Sequence, residues 1–578
     1  CPSEPLAEVA ALPVKRRKCR HGSLADLAAK AHLPAGPANV EELFNYPLDI
    51  VKTLFRGDPD REYRCHALLV NGLHETSDYF GMHCEGESKR LAIEAIKYHA
   101  EWRPDLNIVS RCCDNAALPR KVLTTVSHPI HNSEMCVLTD IHKYTAEAGN
   151  NLLDQLEPEA GEGTVAERMQ RYQNIEDWIM MDRSSLYPLG RTCECVVRGA
   201  ECPVEGRALA AYLESSEFAE STMDERPLIF NSAGTVCKDW SSVGKMFRFS
   251  GKSERMHSTW LGERQVSALK DKEHMFFSEC TKLYDVQKKL AVPLKKSHFV
   301  IAVQIGPELF GHPTRRTRNL AAGPSETKHL VWVGPPASEV QRHFEPLFAR
   351  KTLLNGGSYF LASDSALRQF ARGGMKKCGL NMDEEDIASL PTAGFEFLDT
   401  FLPPGAQQRF EAYEKNRESM QGIDGTFIVD LEQWPASRAG AEGPYFPSQL
   451  THGSVVNIDT MKYALGTDRL AANGFLCYPE IHRGFTSILA SDILCKLSSG
   501  ECKMLSGNGQ SLPAITAWFL YVFCHTVRRP HLRLLKEPVQ EVDLLDEEED
   551  GLDVLALSFG ARLEDIADEL SPPSDGVG

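Results

Sequence analysis

Five short apolar runs constrain this chain more than any other feature. They read "NIVSRCC" (107–113), "MCVLTDI" (135–141), "PLIFNSAG" (227–234), "HMFFSEC" (274–280) and "HFVIAVQIG" (298–306). Each has the length of a strand, and helical or polar segments separate them. Strands that read as near-continuous apolar runs are buried on both faces, which predicts a largely parallel sheet with helices on either side. Ahead of them, "SDYFGMHCEGES" leads into Leu91, Ala92, Ala95 and Ile96, whose spacing suits an amphipathic helix following a first strand. The expected fold class is α/β.

With 578 residues the chain can build more than one core. Residues 1–76 read as an N-terminal extension carrying the basic block "KRRKCRHG" (15–22), a nuclear import signal or a solvated charge run. The α/β pattern occupies 77–320, with a polar, Glu-rich insertion at about 150–225. Breakers dominate 321–445 ("NGGSYF", "RGGMKKCG", "LPPGAQQ"), which predicts a second, smaller domain. Alternation returns over 446–536, where "GNGQSLPAITAWFLYVF" predicts a core helix. The chain begins at Cys1 without a signal-like apolar segment, so it reads as an intracellular fragment. No apolar run reaches the ~18 residues of a membrane span, and no membrane partner is expected.

The net charge of −17 argues against a nucleic-acid partner until it is divided along the sequence. Residues 537–578 hold fourteen Asp and Glu against one Arg, a balance of −13, so the rest of the chain carries only −4. The acidity belongs mostly to a tail that reads as disordered, within which "LDVLALSF" could dock on a protein partner. Basic patches on the body remain open.

The 17 cysteines form no C-x-x-C framework, which suits reduced intracellular thiols. Cys193, Cys195 and Cys202 in "TCECVVRGAEC" are three thiols at a spacing unsuited to a structural zinc site, so no metal is expected.

Ligands of open α/β sheets bind beyond the carboxyl ends of the strands, and those ends carry a consistent set of residues. Gly81 and Gly86 follow the first strand and would admit close backbone approach. The second ends at Asp114 and the third at Asp140, acids positioned for ribose hydroxyls. After the fourth comes Cys237, the fifth ends at Glu279, and Arg315, Arg316 and Arg318 follow the sixth. A thiol, a carboxyl and guanidinium groups at one sheet edge make a site.

In this order the residues resemble the cytosine-C5 DNA methyltransferase family. "AGTVCKDWSSVG" is similar to its nucleophile loop, "FFSECT" to its Glu-Asn-Val motif at Glu279, and "GHPTRRTR" to its Pro-Gln-x-Arg-x-Arg motif at Pro313, Arg316 and Arg318. "DRLAANGFLCYPE" and "LSGNGQSLP" resemble the ninth and tenth motifs. The resemblance spans residues 77–525. Val236 stands where the family has proline, Cys280 where it has asparagine, Thr314 where it has glutamine, and the first motif survives only as Phe80-Gly81 with Gly86 beyond.

The resemblance implies a Rossmann-like S-adenosylmethionine-dependent methyltransferase sheet with an inserted target-recognition domain at 321–445. It implies methyl transfer to C5 of a flipped-out cytosine in DNA through a covalent Cys237–C6 adduct, inside the nucleus. Glu279 would hold N3 and the amine, Arg318 would hold O2, and Arg316 or Arg318 would favour the thiolate. The cofactor would rest on Phe80, Gly81, Gly86, Asp114, Asp140, Ile141 and Asn508. Lys351, Arg368, Arg372, Lys376 and Lys377 could meet phosphates. An RNA (tRNA) substrate and a catalytically impaired DNA-binding protein are the alternatives.

Overall fold

The computed structural model describes residues 32–125, 135–158, 163–181, 186–188, 190–235, 239–240, 247–325, 330–377, 379, 383–419, 426–435, 442–481, 484–485 and 496–529. The basic block, Val236, Cys237 and the acidic tail lie outside the described residues.

Nine strands form the main sheet: β1 (Leu73–Asp78), β2 (Asn107–Cys113), β3 (Cys136–Leu138), β4 (Thr192–Cys195), β5 (Ala200–Pro203), β6 (Leu228–Gly234), β7 (Met275–Thr281), β8 (Ile301–Ile305) and β9 (Arg318–Pro324). Their order is β5-β4-β3-β2-β1-β6-β7-β9-β8. The inner five, β3-β2-β1-β6-β7, are parallel, and antiparallel pairs close both sides. Strand order reverses between β1 and β6, which makes the crevice beyond their carboxyl ends the expected ligand position. The α/β expectation therefore holds, with a sheet only partly parallel.

Adjacent residues of the apolar strands face opposite sides. Phe230 and Phe277 join a core built with helices α1 (Tyr46–Phe55), α2 (Pro59–Leu69), α3 (Cys84–Ala100) and a C-terminal helix, Leu512–Cys524. Phe276 and Cys280 turn the other way, toward Trp260 on helix α5 (Ser253–Leu269), against which α4 (Val165–Met181) packs. The C-terminal helix is apolar all round, "LPAITAWFLYVFC", and all thirteen residues are buried, as a helix without a polar face requires.

Two expected boundaries move. Residues 40–76 are part of the main core, because Val51, Leu54, Leu68 and Leu69 are buried there and β1 itself starts at Leu73. Residues 318–324 complete the main sheet as β9, and Val340, Phe344 and Phe348 also belong to the main core. A separate core runs instead from Leu367 to Leu465, gathering Phe397, Phe410, Tyr413, Val429 and Val456. It lies between helices α6 (Asp364–Lys377) and α7 (Pro404–Ser419) and the strands Ile428–Asp430, Val455–Asn457 and Lys462–Tyr463.

Strand β1 reads Leu-His-Glu-Thr-Ser-Asp, yet all six residues are buried. Its charges are neutralised in place. Glu75 pairs with Lys89, lies 3.5 Å from His83 Nε2, and accepts from Ser232 Oγ at 2.7 Å. Burial works to raise the Glu75 carboxyl, but Lys89 and His83 outweigh it and hold the group well below the carboxylate range. Asp78 accepts from Arg111 Nη2 at 2.9 Å, Asn231 Nδ2 at 2.8 Å and the Tyr144 hydroxyl at 2.9 Å, with Arg264 Nη2 3.9 Å away.

Candidate active site

The loop between β1 and α3 is backbone-strained. Tyr79, Gly81 and His83 all have positive φ (53°, 53° and 59°), and two of them carry side chains that disfavour it. A Cβ at Gly81 would meet nothing within 4 Å, so this backbone faces open space. Gly81 N–H donates to Asp114 Oδ2 at 3.2 Å, which joins the first and second strand ends. Burial pushes the Asp114 carboxyl up, against the amides of Ala116 and Gly81 that favour its charged form. Phe80 is buried under the loop, its ring edge-on to His83.

Gly86 takes a different part from the one expected of it. It sits inside α3, where a Cβ would come within 2.2 Å of the His83 ring. Its lack of a side chain makes room for His83, not for a ligand. Asp140 caps the short helix Ile141–Tyr144, its Oδ1 accepting from His142 N at 2.9 Å, and Ile141 is buried behind it.

Glu279 and Arg318 meet across the β7–β9 ladder. Arg318 Nε lies 3.0 Å from Glu279 Oε1, with side chains 19% and 12% exposed, so the pair is reachable from solvent without being dispersed in it. The root of the Cys237 loop is tied to the same strand end. Thr235 donates twice to the Glu279 carbonyl, from N at 3.0 Å and from Oγ1 at 2.9 Å. Cys237, two residues further on, lies outside the described residues.

Arg316 is buried and engaged with main chain. Its Nη2 donates to the carbonyls of Gly507 (3.1 Å) and Gly509, at the end of helix α8 (Ser499–Asn508). From there the chain returns to the first loop. Gln510 N donates to Cys84 Sγ at 3.2 Å, and Gln510 Nε2 donates to Glu85 Oε1 at 2.7 Å. A Cβ on Gly234, at the end of β6, would fall 2.7 Å from Gln510 Nε2 and 3.3 Å from Glu85 Oε1. Asn508 is exposed, so Gln510 makes the closing contact. Glu85 is fully buried, and burial, reinforced by Glu279 and Glu75, pushes its carboxyl up to about 8.

Sequence reasoning therefore missed Thr235, Glu85 and Gln510. Gln510 was within reach as the polar residue closing "GNGQ"; Glu85 reads on its own as one more exposed helix acid. Among the cations suggested for phosphates, Arg368 Nε donates to the Leu390 carbonyl and Arg372 pairs with Glu384 at 2.6 Å. Lys351 and Lys376 are exposed. A cavity of about 560 Å³, lined by Tyr46, Asp49, Arg56, His312 and Arg350 among others, includes none of the expected site residues.

No family model and no curated protein matches the sequence. Solved structures with some likeness include a mutant of Spodoptera frugiperda DNMT2 (13% identity, TM-score 0.34, 78% of this chain and 99% of that one). S. pombe Dnmt2 methyltransferase (8%, 0.33, 78% and 98%) and the Entamoeba histolytica methyltransferase EhMeth (10%, 0.34, 78% and 98%) are similar to a comparable degree. At such values the likeness decides neither fold nor activity.

Proposed function

We propose that this chain is an S-adenosylmethionine-dependent cytosine-5 methyltransferase acting on DNA, with Cys237 as its nucleophile. One observation carries the reading: Thr235 fixes the root of the Cys237 loop to the very strand end where Glu279 pairs with Arg318. A carboxylate and a guanidinium side by side complement the Watson–Crick edge of cytosine. The carboxylate accepts from the amine and from a protonated N3, and the guanidinium donates to O2.

Addition of the Cys237 thiolate to C6 makes C5 a nucleophile. Negative charge then grows on the ring beside Arg318 while Glu279 holds N3, so both contacts strengthen as the adduct forms. After methylation the C5 proton leaves to a base and the thiolate is expelled, restoring the aromatic ring. Because C5 is inaccessible in a duplex, the cytosine must leave the stack, and in this reading the region built on the separate core from Leu367 to Leu465 would take the flanking DNA.

The cofactor supplies an electrophilic methyl group. The open face at Gly81, beside the order reversal of the sheet, and the acids Asp114 and Asp140 beyond the neighbouring strands β2 and β3 fit it. Arg316 and Gln510 hold the 507–510 segment against that loop. A nuclear address for the basic block belongs to the same reading.

The test is methyl transfer from labelled cofactor to duplex DNA and, separately, to tRNA. Wild type should label DNA, Cys237→Ser should not, and Glu279→Gln should lose about a hundredfold or more. Covalent trapping on DNA containing 5-fluorocytosine should require Cys237. Labelling of tRNA alone overturns the DNA assignment, and equal labelling by Cys237→Ser overturns the nucleophile.

A further inference from the structure

At the β5 end of the sheet, three thiols from two distant parts of the sequence converge. Cys136 on β3 and Cys195 and Cys202 on the β4–β5 hairpin place their Sγ atoms within 4.8 Å of one another. All three are buried, at 0%, 0% and 3% exposure. Cys193 lies beside the group without belonging to the three converging sulfurs. It lies two residues before Cys195 on β4, faces the same core, and stands directly opposite Cys202 in the ladder. Its Sγ is 3.5 Å from the Asp140 carbonyl.

A main-chain amide reaches one of these sulfurs, and the hairpin turn is tied down next to another. Arg207 N donates to Cys136 Sγ at 3.5 Å, while the N–H groups of Arg198 and Gly199 donate to the Cys195 carbonyl at 3.2 and 2.8 Å and hold the hairpin turn beside the sulfurs. Three sulfurs brought together in a dry core from β3 and the hairpin form a ready set of soft ligands, and a redox-inert divalent ion with tetrahedral preference suits them.

We propose that Cys136, Cys195 and Cys202 bind one zinc ion, with Cys193 as the fourth ligand. The ion has a mechanical task that the hydrogen-bond ladder leaves undone. The hairpin joins the rest of the sheet through a single registered pair, Leu138–Cys195. A metal bonded to both β3 and the hairpin clamps this edge. It also steadies the end of β3, which leads directly into Asp140. The proposal is independent of the methyltransferase reading, since a structural ion takes no part in the reaction.

The experiment is elemental analysis of the purified full chain, expressed with zinc available. The expected result is about one zinc per chain, falling to less than about a tenth in Cys136→Ser and in Cys202→Ser, while Cys477→Ser keeps its metal. Exchange of cobalt(II) into the wild-type chain provides a readout that does not depend on a variant folding. It should give sulfur-to-metal charge-transfer absorption together with the visible bands of a tetrahedral site. Wild type without metal overturns the proposal, as does retention of zinc by both serine variants. Copper in place of zinc overturns the identity of the ion. An intact mass two hydrogens lower, with Cys136 linked to Cys195 or Cys202, overturns the site altogether.

Discussion

At the middle of the sheet, β1 buries Glu75 and Asp78 completely, and their partners come from the chain itself: Lys89, His83 and Ser232 for one, Arg111, Asn231 and Tyr144 for the other. At the edge, β3, β4 and β5 bury four cysteines at similar depth, with a main-chain amide and one another for company. The contrast follows from the cost of burial. An ionised carboxylate in a dry core costs several kcal/mol, so it persists only where cations arrive with the fold. A neutral thiol costs little, so a cluster of thiols tolerates the absence of a counter-charge and gains when a metal supplies one. Arg111 links the two regions, donating to Asp78 on one side and to the Val204 carbonyl, just beyond β5, on the other.

The comparison can be broken most directly at Asp78. Asp78→Ala strands Arg111 beside Arg264 in the core and should cost about 3–5 kcal/mol, measured by urea denaturation. A loss below about 1 kcal/mol would mean that the middle of the sheet does not rely on its ion pairs.

Glu85 tests the intermediate case, a buried carboxyl whose main contact is the neutral Gln510 amide. Its folded value of about 8 exceeds the ordinary 4.5, so the folded chain keeps a proton that the unfolded chain has released. Its contribution to stability is therefore complete below pH 4.5 and is lost as pH rises toward 8. Over that window the slope should approach about 1.4 kcal/mol per pH unit, and Glu85→Gln should remove this component from the stability–pH curve.

The smallest effect is expected where water does the solvating. Arg372 and Glu384 form an ion pair with side chains 42% and 80% exposed. Arg372→Ala should change stability by no more than about 0.5 kcal/mol, measured by the same denaturation. A loss comparable with that of Asp78→Ala would remove the distinction between buried and exposed charge.

Legibility followed the kind of signal each element carries. β2, β3, β6 and β7 were visible because double-sided burial writes itself as apolar runs, and the edge strand β8 was visible through Ile301, Val303 and Ile305 although Gln304 is exposed. β1 was expected only through the Gly-bearing turn that follows it, because Leu-His-Glu-Thr-Ser-Asp is a buried strand only once Lys89 and Arg111 are beside it. Helices α1 and α2 looked like an extension because their apolar stripes are short and separated by charged residues. At the candidate site, Glu279 and Arg318 could be named from their motifs, and the ion pair joins them. Gly86 misled because a glycine near a strand end serves packing and ligand approach equally well in a one-dimensional reading. Gln510 and Glu85, 425 residues apart, share no local pattern at all.

By itself the sequence determined the α/β character, the fully apolar C-terminal helix and the run of chemically able residues at successive strand ends, since burial and strand periodicity are local in the chain. Tertiary structure alone decided the strand order, the reversal between β1 and β6, the tie from Thr235 to Glu279 and the arrival of Cys136 beside Cys195 and Cys202. Each of these depends on which distant segments pair. Pairing is settled by the packing of whole faces and the neutralisation of buried groups, neither of which is written in the spacing of residues along one segment.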